Sequence, residues 1–114
     1  MSSFEDLDVW RRSCELSVQI CRAFQRCSDF GFKDQITRSA ISVPSNIAEG
    51  SERNSHKEFI QFLGYARGSA GELRTQLIIA GRLGYINETQ SKEWISEIRE
   101  ISAMIYGLVK SLER

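Results

Sequence analysis

Gln35-Ile-Thr-Arg38-Ser-Ala-Ile-Ser42-Val-Pro44-Ser-Asn46-Ile-Ala-Glu49-Gly50 carries three faces in sixteen residues and holds the only proline of the 114-residue chain. On a helix turning about 100° per residue, Ile36, Ala40, Val43 and Ile47 fall within roughly 60° of one another, an ordinary core stripe. Gln35, Arg38, Ser39, Ser42, Asn46 and Glu49 gather on another side, within about 100°, as a polar face of mostly small, uncharged residues. Ile41 and Ala48 form a third, weaker apolar line. Pro44 removes one backbone hydrogen bond, but the periodicity continues in phase across it. The pattern therefore predicts one kinked helix from Phe32 to Glu49, with Gly50 placed as a left-handed C-terminal cap.

Three more helices extend outward from this one. The first is expected from Asp6 to Cys27 and has two apolar stripes: Leu7, Trp10, Cys14, Val18, Cys21 and Phe24, and then Val9, Leu16, Ile20, Ala23 and Cys27. Joined through Ser13 and Ser17, they cover roughly 220° of the circumference, about twice the arc that facing a core requires. Ser28-Asp-Phe-Gly31 supplies a turn. Ser55-His-Lys-Glu58 has capping-box spacing and opens a long third helix to Leu83, with Gly84 just beyond its end. Its seam is Phe59, Phe62, Leu63, Ala66, Ala70, Leu73, Leu77 and Ala80. Small residues at its middle, Gly64, Gly68, Ser69, Ala70 and Gly71, suggest that another backbone approaches there, because each helical glycine costs about 1 kcal/mol relative to alanine. Asn87 caps a fourth helix, whose stripe is Trp94, Ile98, Ile101, Ile105, Leu108 and Leu112. The expectation is an all-α, antiparallel up-and-down four-helix bundle, one domain over residues 1–114.

Ser42-Val-Pro-Ser-Asn-Ile-Ala-Glu-Gly50 resembles the signature of the four-helix-bundle proteins encoded in intervening sequences of bacterial 23S ribosomal RNA. Phe4-Glu-Asp-Leu-Asp-Val-Trp10, Lys57-Glu-Phe-Ile-Gln-Phe-Leu63, Gly68-Ser-Ala-Gly-Glu72-Leu-Arg-Thr-Gln-Leu77 and Leu83-Gly-Tyr-Ile86 extend the resemblance in order over nearly the whole chain. The first connection departs from the family pattern: Gln25 follows Phe24, Ser28 stands at a glutamate position and Phe32 replaces a leucine. The family is similar to the accessory variability proteins of diversity-generating retroelements, basic partners of a reverse transcriptase. The resemblance implies a homopentameric ring.

Fifteen acidic and fifteen basic residues balance to a net charge of zero, which lacks the overall footprint of a dedicated nucleic-acid binder. No apolar run is long enough to span a bilayer and the start does not read as an export signal, so a cytoplasmic protein without membrane contact is expected. Cys14, Cys21 and Cys27 lie roughly 9 to 10 Å apart along one helix, too far for disulfides. With a single histidine, His56, no ligand set for a metal and no nucleophile with a base, neither cofactor, metal site nor enzyme activity is expected.

Three groups of residues remain as candidates for function. Gln35, Arg38, Ser42, Asn46, Glu49 and Glu72 form a polar network or recognition face. Arg38 and Glu49 share an azimuth but lie about 16 Å apart along the axis, so each needs other partners, with Glu72, Arg67 and Arg74 available. Arg11, Arg22 and Arg26 form a candidate nucleic-acid stripe, although the helix-surface spacings of Asp8 to Arg12 and Arg11 to Glu15 favour a solvated face. Val9, Leu16, Ile20 and Ala23 are the candidate oligomer interface. The function expected is a noncatalytic, homo-oligomeric helical scaffold or adaptor. The alternative is an RNA- or DNA-associated accessory protein, linked to ribosomal RNA intervening sequences or to reverse transcription.

Overall fold

In the computed structural model, which describes residues 3–114, four helices follow one another: α1 (Asp8–Ala23), α2 (Phe30–Ser51), α3 (His56–Leu83) and α4 (Glu88–Leu112). A 3-10 turn at Phe4–Asp6 precedes them, and Leu7, extended, separates it from α1. Asp29, Ser55 and Asn87 cap the next three helices, their side chains accepting from the amides of Phe32, Glu58 and Gln90. Gly84 closes α3 in the left-handed region at φ 78°, where a Cβ would be strained.

Each helix packs on its sequence neighbour, α4 closes back onto α1, and the diagonal helices do not meet. The α1–α2 and α3–α4 turns sit at one end, where the Tyr85 hydroxyl donates to Asp29 Oδ2 at 2.7 Å and the Tyr85 ring meets Phe32 edge-on. That contact places the helices in up-and-down order. The 44 Å long axis matches the rise expected for the longest helix, about 1.5 Å per residue.

The expected stripes of α2, α3 and α4 form the core: Ile36, Ala40, Val43 and Ile47 meet Leu63, Ala66, Ala70, Leu73 and Leu77, then Ile98, Ile101 and Ile105, all essentially without exposure. α2 runs unbroken through Pro44, which is buried. Proline has no N–H for the carbonyl four residues back, that of Ala40. The Ser17 hydroxyl of α1 donates to this oxygen at 2.8 Å, so the neighbouring helix supplies the missing donor.

The glycines do not behave as expected. Gly50 is not a left-handed cap but stays helical, and Glu52 ends the helix. A Cβ on Gly50 would sit 2.7 Å from Phe62 Cβ and 3.2 Å from the Phe59 carbonyl oxygen, so the close approach of α2 to α3 occurs here. Gly64, Gly68 and Gly71 face solvent, with nothing within 4 Å of an added Cβ. Among the described residues no backbone comes that close to the middle of α3 on that side.

Candidate interaction surfaces

α1 decides what the outside of the bundle offers. Val9, Leu16 and Ile20, expected at an oligomer interface, are buried in the chain's own core, and Ala23 is exposed at the end of the helix. The stripes have exchanged roles because α2 seats against the serine-lined middle of the arc: Ser13 and Ser17 are buried, and Ser17 bonds Ala40. Trp10, Cys14 and Val18 are left outside, joined by Phe4, whose ring meets Trp10 edge-on at 5.1 Å. With Ile41, Pro44 and Ala48 of α2 they line a groove of about 400 Å³. Val18 is 42% and Ile41 49% exposed, and no charged residue lines the groove. Burial pushes the Cys14 and Cys21 thiols up, away from reactivity.

The polar face of α2 is divided between three settings. Gln35, Arg38 and Ser42 share a cleft of about 230 Å³ with Glu72 and Gln76 of α3. Ser42 Oγ lies 2.8 Å from Ser69 Oγ, and the Asn46 amide donates to the Ser42 carbonyl and hydroxyl at 2.9 and 3.0 Å. Arg38 pairs with Asp34 on its own helix at 2.9 Å, and Glu49 with Arg53 at 3.8 Å, so neither finds its partner on α3. Gln76 Oε1 is buried in this seam without a hydrogen-bond partner among the described residues.

The candidate nucleic-acid stripe on α1 lies in two settings. Arg11 is held by Asp8 and donates to the Glu5 carbonyl, while Arg22 and Arg26 are exposed. Arg12 faces α4 instead, forking onto Glu97 at 2.5 and 2.9 Å and reaching Glu100 at 3.1 Å. These hydrogen bonds, that to Glu97 foremost, hold its guanidinium above its ordinary pKa. His56 is the exposed first residue of α3.

A cleft that the sequence reading missed lies between α3 and α4. Arg67 and Arg74, placed there only as possible partners for α2, line a cavity of about 290 Å³ with Gly68, Gly71 and Ser102. Arg67 also stands over the Tyr106 ring at 4.9 Å. The seven-residue spacing of the arginines was the available signal.

The order of the helices, the Pro44 segment at the α1–α2 seam and the short connections agree with a sequence match covering residues 5–107 to the 23S rRNA-intervening sequence protein family. The chain belongs to this family. Among solved structures, a protein of unknown function from the S23 ribosomal protein family of Bacteroides thetaiotaomicron has a TM-score of 0.83 and 27% identity. The match covers 90% of this chain and 98% of that one. No curated protein matches the sequence. No helix of this family member is long and apolar enough to cross a membrane. Among its described residues no three His, Cys, Asp or Glu side chains come together as a metal site.

Proposed function

We propose that this protein is a noncatalytic, cytoplasmic scaffold that assembles with copies of itself through the outer α1/α2 face. The supporting observation is the uncharged groove of Phe4, Trp10, Cys14, Val18, Ile41, Pro44 and Ala48. A groove of this kind marks an interaction site more often than a free surface. The occupant is a second copy, because α3 exposes apolar side chains of its own, Ile79 and Leu83, which stand four residues apart on one face. Groove and patch are different surfaces, so their contact is heterologous, a geometry that forms a ring where its rotation closes. The pentamer implied by the family resemblance is one such ring.

Light scattering after size exclusion tests this at micromolar concentration. The expected result is a closed oligomer that Val18→Glu plus Ile41→Glu converts to a helical monomer, since both side chains are exposed in the single chain and a charge there harms only an apolar contact. A monomeric wild type, or an oligomer that survives both substitutions, would refute the assignment. A second reading is association with RNA or DNA as an accessory protein, linked to intervening sequences or to reverse transcription. It is favoured by the arginines between α3 and α4, though the neutral chain differs from the basic retroelement accessory group.

A further inference from the structure

We infer that the α3/α4 cleft binds the phosphodiester backbone of a single-stranded nucleic acid, which gives the nucleic-acid reading a defined site. Four features of the cleft carry this. Arg67 and Arg74 both line it, and neither has a carboxylate within ion-pair distance among the described residues. Glu72, the nearest acid in sequence, lines the cleft on the opposite flank of α3. Guanidinium forks left unpaired beside a recess suit phosphate oxygens.

The second feature is spacing. Seven residues separate the arginines, roughly 10 Å along the helix, a span for successive oxyanions on a strand rather than for one small ion. The third is clearance: Gly71 lies between them with open space at its missing Cβ, so a ligand can approach the helix backbone. Ser102 adds a hydroxyl from α4. The fourth is aromatic: Tyr106, 45% exposed, continues the cleft one turn beyond Ser102 and is flanked by Arg67 and by Lys110, whose Nζ lies 5.3 Å from its ring centre. Cations interleaved with an exposed ring are the chemistry of a strand-stacking surface. A duplex keeps its bases paired inside and offers Tyr106 nothing to stack. The cleft lies on the α3/α4 seam, across the bundle from the α1/α2 groove.

Fluorescence anisotropy of the full chain with a labelled oligouridylate of about a dozen nucleotides tests the site. Two phosphate contacts predict a slope of about −1.4 in log affinity against log salt, so binding weakens about sevenfold between about 50 and 200 mM salt. Arg67→Gln plus Arg74→Gln should weaken binding about tenfold and flatten that slope. Gly71→Glu offers a carboxylate to both arginines at helical spacing. It should abolish binding while leaving the melting temperature equal or higher, which separates loss of the site from loss of the fold. Arg22→Gln plus Arg26→Gln should change nothing. The assignment is overturned if the strand does not bind, or if binding survives the Arg67/Arg74 pair but not the Arg22/Arg26 pair. It is equally overturned if inorganic phosphate or polyglutamate displaces the strand as well as unlabelled strand does. An unchanged light-scattering mass in the Arg67/Arg74 variant keeps this result separate from the assembly.

Discussion

Pro44 and Ser17 lie on different helices yet share one hydrogen bond, and the coupling between them can be measured. Ser17 Oγ is 2.8 Å from the Ala40 carbonyl and 2.8 Å from the Ser13 carbonyl. A hydroxyl has one proton, and Ser13 already accepts from the backbone of its own helix, so the proton belongs to Ala40, which Pro44 deprives of a backbone donor. Ser17→Ala leaves that buried oxygen without a partner, at a cost of about 1–3 kcal/mol. In a Pro44→Ala background, residue 44 regains an N–H for Ala40 and the same change should cost less than about 0.5 kcal/mol. The double-mutant cycle should therefore show a coupling of at least about 0.5 kcal/mol, a melting shift of about 2 °C or more for a domain of this size. Urea unfolding followed by circular dichroism, with all four proteins at one concentration, measures it. Equal costs of Ser17→Ala in the two backgrounds would show that Ser17 contributes packing alone.

Glycine substitutions should split by position: Gly68→Ala should stabilise the chain by about 0.5–1 kcal/mol, because nothing meets the new methyl, whereas Gly50→Ala should destabilise it by about 1–3 kcal/mol through its clash with Phe62. Urea midpoints showing the same sign at both sites would contradict the helix spacing. The Tyr85–Asp29 bond should give a pH-dependent melting temperature, since the bond holds the Asp29 carboxyl below its ordinary value and the Tyr85 phenol above its own. A lowered acid contributes above its ordinary pKa and loses that contribution as pH falls through the folded one; a raised phenol contributes below its ordinary pKa and loses it as pH rises through the folded one. Tyr85→Phe should accordingly melt below wild type between about pH 5 and 9, with the gap closing below about pH 3 and above about pH 11. A gap constant across that range would refute the linkage.

Periodicity made the helices, the caps of α3 and the N-cap of α4, and three of the four core stripes legible. Ser55, Gly84 and Asn87 act locally, and local geometry is what a sequence states most directly. α1 was ambiguous for a physical reason: two apolar stripes at helical spacing are equivalent until something outside the helix selects one. The selection came from Ser17 reaching Ala40 and from Phe4 folding back on Trp10, neither of which hydrophobic spacing encodes. The exposed glycines of α3 were read as contacts because their missing side chains signal space without saying what fills it. Arg38 and Glu49 found partners one helical turn away, Asp34 and Arg53, which shorter reach favours over a partner on another helix. The α3/α4 cleft required Arg67 and Arg74 to be seen beside Ser102 and Tyr106, a juxtaposition made only by packing.

The four seams of the bundle are unequal. α1 is the shortest helix at 16 residues, and its meeting with α4 is the least extensive of the four. Polar ties lace that seam: Arg12 on Glu97, and the Trp94 indole donating to Gln19 at 2.9 Å. Arg12 and Glu97 are 35% and 29% exposed, and an ion pair that water reaches resists separation weakly. This edge is therefore where the bundle is expected to open first, with α2, α3 and α4 as the standing frame. Hydrogen exchange should show amides of α1 exchanging with solvent before those of the frame.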